Sequence, residues 1–217
     1  WNFADTVLVR VAMDTNLRNK RVLVTGGNSG LGAAMAKAFA GEGARVAINY
    51  LVDPAATDAL VKQFTTAGGQ ALGLMADISD AAAVEAMFAR IDEAWGGIDV
   101  LINNAGIDGH AAVGWEADPD AWGKVIDINL NGVFYCMRHE IPAMLTRGGG
   151  AIVNMSSILG VVGFANSPAY VAAKHGIVGL TQTAAIEYAT QGIRVTAVGP
   201  GFISTPLLSA NLDAETQ

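Results

Sequence analysis

The chain is short of cysteine, of basic residues and of long apolar runs, and each shortage removes a class of function. Cys136 is the one cysteine, which excludes an internal disulfide framework and a cysteine-cluster metal site. His110, His139 and His175 are scattered without ligand-like spacing, so no metal is expected. Lys and Arg number 13 against 20 Asp and Glu, a formal net charge of −7. That is a poor basis for gripping nucleic acid or an anionic membrane through a positive field. No apolar run reaches the roughly 18 residues that a membrane-spanning helix requires. Trp1–Met13 carries Asp5 and no basic leader, so it does not read as a secretion signal. Charged residues are only 15% and hydrophobic residues 52%, which excludes intrinsic disorder. What is left is a soluble, cytoplasmic, globular protein. Its 217 residues suit one domain with a sizeable core.

What the chain has in excess is glycine, 26 residues placed at the ends of apolar runs, where tight turns and close backbone approaches occur. Short β-branched runs alternate with Ala-rich stretches of helical spacing. Strands are predicted at Arg21–Thr25, Ala44–Tyr50, Gln70–Ala76, Ile98–Ile102, Ala151–Met155 and Ile193–Val198. Helices are predicted at Gly30–Ala40, Pro54–Gly68, Asp80–Trp95, Pro119–Arg147 (with Gly123 and Gly132 inside it) and Pro168–Thr190. The strands are nearly continuous apolar runs, as in a parallel sheet covered by helices on both faces. The expected fold is therefore α/β, a doubly wound parallel sheet in three layers, α/β/α, with six or seven strands.

The first strand runs into Thr25-Gly26-Gly27-Asn28-Ser29-Gly30-Leu31-Gly32 and then into a helix. Glycine lets backbone approach a pyrophosphate, and a helix start offers N–H groups with a partial positive charge. A tight turn without a ligand is the plainer alternative. In such folds an acidic residue ending the second strand often holds the adenosine ribose. Here Tyr50 stands there, with Leu51 next and Asp53 beyond, and no Arg or Lys. A ribose 2′-phosphate wants a basic partner, so NAD is expected as cofactor, with NADP the other candidate.

Tyr170 and Lys174 stand at i and i+4 in YVAAK, one face of a helix. A free tyrosine has a pKa of about 10, and a fixed positive charge nearby lowers it. Ser157 lies 13 residues earlier, at the carboxyl end of the fifth strand, where ligands bind in open α/β sheets. An exposed helix pair is the alternative for Tyr170 and Lys174.

These motifs together resemble the short-chain dehydrogenase/reductase family, of the compact, Rossmann-like, single-domain sort, over about residues 14–208. The matches are TGGNSGLG (25–32), Asp77-Ile78, NNAG (103–106), Asn129, Ser157, YVAAK (170–174) and GPG…TP (199–206). VAINY, NLNGVFY and GPGFISTPL are similar to the glucose-dehydrogenase and oxoacyl-carrier-protein reductase branch. The resemblance implies an NAD(P)-dependent alcohol dehydrogenase or carbonyl reductase. Tyr170 would be the general acid/base, Lys174 would lower its pKa and hold the nicotinamide ribose, and Ser157 would orient the substrate oxygen. Asn129 would support a water-linked proton path. Gly26, Ser29, Gly30, Leu31 and Gly32 would line the cofactor phosphates and ribose, and Tyr50, Asp77 and Ile78 the adenosine. Asn104, Ala105 and Gly106 would pass beneath it. Pro200, Gly201, Ile203 and Thr205 would meet the nicotinamide end.

Plainer roles stand beside these. Asn129 would satisfy a kinked helix, Asn103 and Asn104 would cap loops, Asp77 would cap a helix for which Asp80 is better placed, and Thr205 would be plain loop. The substrate would meet residues around Ile107–Trp115, Ile158–Phe164 and Phe202–Gln217, which hold no Arg or Lys and suit a hydrophobic or modestly polar molecule. His110 faces either that substrate or solvent. Cys136 and Met137 read as packing residues. Gly199 replaces the family's more usual Asn.

Residues 1–12 read as a leader or extension before Met13. The family's last helix and seventh strand are missing from the sequence, so either the chain is truncated or Trp1–Ala12 covers that sheet edge. The family implies a homo-oligomer, a tetramer or a dimer, packed through the long helix and the Tyr170 helix. A catalytically silent cofactor-binding regulator or assembly partner is the alternative from another class, and epimerase or dehydratase chemistry a third.

Overall fold

A computed structural model describes residues 14–206 apart from 110 and 112. The expectations for Trp1–Ala12, Met13 and His110, and for the substrate loop beyond Pro206, lie outside the described residues. The strands are β1 (Arg21–Val24), β2 (Arg45–Tyr50), β3 (Ala71–Met75), β4 (Val100–Asn103), β5 (Gly150–Met155) and β6 (Ile193–Val198). The helices are α1 (Gly30–Gly41), α2 (Pro54–Thr66), α3 (Ala81–Trp95), α4 (Pro119–Ile126), α5 (Gly132–Arg147) and α6 (Pro168–Tyr188). All neighbouring strands are parallel, in the order β3-β2-β1-β4-β5-β6. The order reverses between β1 and β4, the place where ligands bind in open α/β sheets. The fold is the doubly wound, Rossmann-like one, with six strands among the described residues.

Alternation along the strands sends side chains to opposite faces. On one side Val22, Val24, Val46, Ile48 and Ile102 pack against α1 and α2 through Ala36, Leu60 and Phe64. On the other, Leu23, Leu101, Ile152 and Ile193 pack against α3, α5 and α6 through Phe88, Ile91, Met144 and Ile177. With both faces covered, the strands need no polar face.

Helix starts follow local chemistry. Asp80 accepts hydrogen bonds from the backbone N–H groups of Ala82 and Ala83 at the head of α3. It caps that helix as its residue type favours. Asp53 caps α2 ahead of Pro54.

The long helix expected over Pro119–Arg147 is broken into α4 and α5 by a π-helical turn, Asp127–Asn131. The buried Asn129 side chain takes the Val125 carbonyl at 3.0 Å. Such widened turns are a local answer to side chains that insert into the helical ladder. No helix among the described residues is long and apolar enough to cross a membrane.

Candidate active site

The glycine turn is held from two sides at the strand-order reversal. The Thr25 hydroxyl accepts from the backbone N–H groups of Asn104 and Ala105, at 2.9 and 3.0 Å. The Asn104 amide donates back to the carbonyls of Thr25 and Gly26. Asn49 on β2 accepts from the Gly26 N–H at 3.3 Å and donates to the carbonyls of Leu74 and Ala76. Gly26 and Gly30 have φ of +59° and +48°, a conformation glycine adopts without strain. A methyl on Gly32 would overlap the Gly26 carbonyl oxygen. Ser29 makes no side-chain cap bond and the first turn of α1 holds no acid. The helix start therefore keeps its positive end for an anion. The loop after β6 reaches over this turn: a methyl on Gly30 would lie 3.6 Å from Thr205 and 3.9 Å from Pro206. A glycine cradle, an uncapped helix start and a covering threonine suit a dinucleotide phosphate.

At the adenosine end Tyr50 is half-buried at the tip of β2. The Asn28 amide donates to the carbonyls of Val52 and Asp53, tying the glycine turn to the next loop. Asp53, at φ +58°, gives its carboxylate to the Ala56 N–H. Asp77 accepts from the backbone N–H and the hydroxyl of Ser79, and so does not cap α3. Ile78 is buried, with its side chain and its carbonyl oxygen both against Gly132.

Two hydrogen bonds set the height of α6 against β5. The Lys174 ammonium donates to the Met155 carbonyl at 2.8 Å, and the Ser156 hydroxyl donates to the Lys174 carbonyl at 3.0 Å. This lock brings Ser157 to the side of Tyr170, where its hydroxyl favours ionisation of the phenol. Ser157 also accepts from the Leu159 N–H at 3.2 Å, capping the short turn Ile158–Gly160. The Lys174 ammonium lies 5.2 Å from the centre of the Tyr170 ring. Lys174 is buried, which rules out the exposed helix pair. Asn129 is also buried, and its side chain grips the backbone of Ile107. A methyl on Gly106 would overlap the Asn129 oxygen and lie 3.8 Å from the Lys174 nitrogen. Asn129, Gly106 and Lys174 therefore face one small space.

The electrostatics correct one expectation. In the protein alone the Tyr170 phenol is raised above its ordinary value, chiefly by burial and then by the Asp108 charge, with the Ser157 hydroxyl pulling it down. Burial lowers the Lys174 ammonium to about 8, while Asp108 supports its charge. Burial of both groups outweighs the help that Lys174 was expected to give the phenolate.

A cavity of about 170 Å³ opens beside the Tyr170 ring, lined also by Asp108, Glu116, Asp118, Trp122 and Ser167. Ala117, Ala121, Trp122, Val125 and Pro168 keep most of its wall apolar, with these carboxylates set into it. On the far side, the rings of Phe164 and Phe202 lie 6.0 Å apart, joining two of the segments read as substrate loops. Ile203 and Gly201 are exposed beside them, and the Pro200 carbonyl accepts from Ile158. Gly199 runs close to Ser157, where a methyl would lie 3.2 Å from the Ser157 carbonyl oxygen.

Sequence reading gave no individual role to Thr25, which opens the glycine motif, to Asp108, which lies in the Ile107–Trp115 segment, or to Asn49 and Ser156. None has a spacing that announces it, since each acts through a partner remote in sequence. Asn103, read as a loop cap, instead donates to Asn154, which donates to Thr181, all within the core.

A family model described as short chain dehydrogenase matches residues 20–216. Cyclohexanol dehydrogenase of Acinetobacter sp. (strain SE19) is 40% identical over 203 residues, 94% of this chain and 80% of the relative. Cis-4-hydroxycyclohexanecarboxylate dehydrogenase of Sinomonas cyclohexanicum is 45% identical over 195 residues, 90% of this chain and 77% of the relative. The crystal structure of levodione reductase superposes with a TM-score of 0.84 at 39% identity, covering 89% of this chain and 75% of that one.

Proposed function

The chain belongs to the short-chain dehydrogenase family, and from that premise we propose the residue roles, cofactor and substrate class of its reaction. It is an oxidoreductase that moves a hydride between a nicotinamide cofactor, NAD(H) or NADP(H), and an alcohol or carbonyl substrate. The bound nicotinamide supplies or receives that hydride at its C4. The protein's own share is orientation and the proton.

In this reading Tyr170 exchanges the proton with the substrate oxygen. Ser157, whose hydroxyl acts on the phenol, turns that oxygen toward it. Lys174, charged at neutral pH and fixed to Met155, keeps a cation near the ring for the moment when the phenolate forms. Asn129 holds the Ile107 backbone and so the floor of the site. The observation that carries the reading is the buried Lys174 ammonium 5.2 Å from the centre of the Tyr170 ring, with the Ser157 hydroxyl favouring the phenolate.

The glycine turn, Thr205 and the backbone at Asn104–Gly106 would hold the dinucleotide. NAD is favoured over NADP, because Tyr50, Leu51, Val52 and Asp53 offer a 2′-phosphate no cation. The proposed substrate is a small secondary alcohol or the matching ketone on a six-membered ring. Two relatives are named for a hydroxyl on a cyclohexane ring, and the cavity, about 170 Å³, is small beside drug-sized sites of about 300–1,000 Å³. A cytoplasmic homo-oligomer is proposed, supported by exposed Trp122, Phe134 and Ile186 on α4, α5 and α6. No observation favours a silent regulator.

The test is cyclohexanol oxidation followed by nicotinamide absorbance with each cofactor. Wild type should turn over and prefer NAD. Tyr170→Phe should bind cofactor and turn over at least about a hundredfold more slowly. Full activity in that variant would overturn the role given to Tyr170.

A further inference from the structure

We infer that Asp108 sets the charge of the substrate this enzyme accepts, turning the cavity beside Tyr170 against anionic alcohols and ketones and toward uncharged or ammonium-bearing ones. The inference rests on the oxidoreductase reading above and narrows it.

The position of Asp108 is fixed from both sides. Ile107 before it is clamped at its N–H and its carbonyl by Asn129, at 3.1 and 2.7 Å. Gly109 after it has φ +79°, and a methyl there would overlap Val125 on α4. Between these points Asp108 lines the same cavity as Tyr170. Glu116 and Asp118 line it too, and among the described residues no Lys or Arg does. The nearby cation, Lys174, is buried and bonded to the Met155 carbonyl. Asp108 is close enough to act on both groups of the proton pair, opposing the Tyr170 phenolate and supporting the Lys174 ammonium.

A substrate whose oxygen meets Tyr170 places the rest of a small molecule in this space. A carboxylate there would lose water and meet like charge without a counter-ion, which is costly. An ester or amide of the same shape escapes that cost. An ammonium group gains from it. One relative is named for a carboxylate substrate, so this property would separate the present chain from it.

The test uses four probes: cyclohexanol, cis-4-hydroxycyclohexanecarboxylate, its methyl ester, and cis-4-aminocyclohexanol. Wild type should favour the ester over the carboxylate in kcat/KM by at least about tenfold, a modest value for two charges a few ångströms apart in a partly wet site. The gap should shrink as salt is raised. Asp108→Asn should close most of it and weaken the amino alcohol, while Asp108→Glu should keep it. The salt series on wild type stands even where the Asn variant folds poorly. Equal use of ester and carboxylate by wild type, or a ratio unmoved in a folded Asp108→Asn variant, would overturn the inference and leave the oxidoreductase reading intact. Failure on all four probes, cyclohexanol included, would count against the ring-alcohol reading itself and carry the inference down with it.

Discussion

The Asn129 side chain holds the backbone of Ile107 by both of its polar groups: its oxygen accepts the Ile107 N–H at 3.1 Å and its nitrogen donates to the Ile107 carbonyl at 2.7 Å. This pairing across 22 residues ties the π-helical turn to the loop that follows β4, and so to Gly106 and Asp108. Leaving buried partners unmet costs about 1–3 kcal/mol. Asn129→Leu should therefore lower the urea unfolding free energy by that amount and reduce turnover together. Gly106→Ala, which pushes on the same oxygen, should cost activity with a smaller loss of stability. Wild-type behaviour in both variants would show that the clamp has no part in the site.

Proton direction should follow pH. Tyr170 is raised above the ordinary tyrosine value by burial and by Asp108, so the free enzyme holds that proton through neutrality. As an acid it serves ketone reduction, and as a base it serves alcohol oxidation only once ionised. Ketone reduction should hold at neutral pH and fall in alkali, while alcohol oxidation climbs. Rate profiles in both directions check this. Asp108→Asn should move both profiles toward lower pH.

The glycine turn should tolerate nothing larger at Gly32. A methyl there meets the Gly26 carbonyl oxygen and would come within 2.7 Å of the Asn104 amide nitrogen. Gly32→Ala should weaken NAD(H) binding by tenfold or more, on the order of 1.4 kcal/mol per decade. Titration of cofactor fluorescence measures it. Unchanged affinity would mean that the dinucleotide does not lie on this turn.

Glu140 should make stability fall as pH rises. It is buried against Arg147 and Cys136, and burial pushes its carboxyl up from 4.5 to about 7, although Arg147 pulls the other way. Between those values the folded chain keeps a proton that the unfolded chain releases. Its contribution is therefore most favourable below pH 4.5 and is lost by pH 7, a change of about 3–4 kcal/mol at about 1.4 kcal/mol per unit. His139 slopes the opposite way, because burial lowers its pKa below 6.5 and stability then falls with acid. Comparing urea midpoints of wild type and Glu140→Gln from pH 5 to 8 isolates the carboxyl. Parallel curves would refute the assignment.

Cys136 should be inert while the protein is folded. It is fully buried, and burial with the nearby Glu140 pushes its thiol up to about 12. Iodoacetamide at pH 8 should label it only after denaturant is added, as intact mass reveals, since the thiolate is the reactive form.

Much of the architecture was legible because local chemistry and burial agree. Arg45–Tyr50 is a β-branched run between turns, Asp80 precedes an amphipathic helix, and Gly96 at φ +72° closes it. The break at Asp127–Asn131 was legible only as a kink, suggested by Gly123, Gly132 and Asn129; its π-helical form was not. It depends on Asn129 meeting the Ile107 backbone, and no spacing within Pro119–Arg147 encodes that contact. The candidate site divides in the same way. Tyr170 and Lys174 stand one helical turn apart, and the glycines of the turn declare their backbone conformation. Asp108 sits in a loop whose side-chain setting depends on α4 and α6.

The sequence by itself determined the alternation of strands and helices, the glycine turn at the end of β1 and the pairing of Tyr170 with Lys174, because each follows from patterns within a few residues. Tertiary structure alone decided that Ser157 meets Tyr170, through the bonds from Lys174 to Met155 and from Ser156 to Lys174. It also decided that burial and Asp108 hold the phenol protonated. A pKa is set by the water removed and the charges nearby, and neither exists until strands and helices remote in sequence have packed.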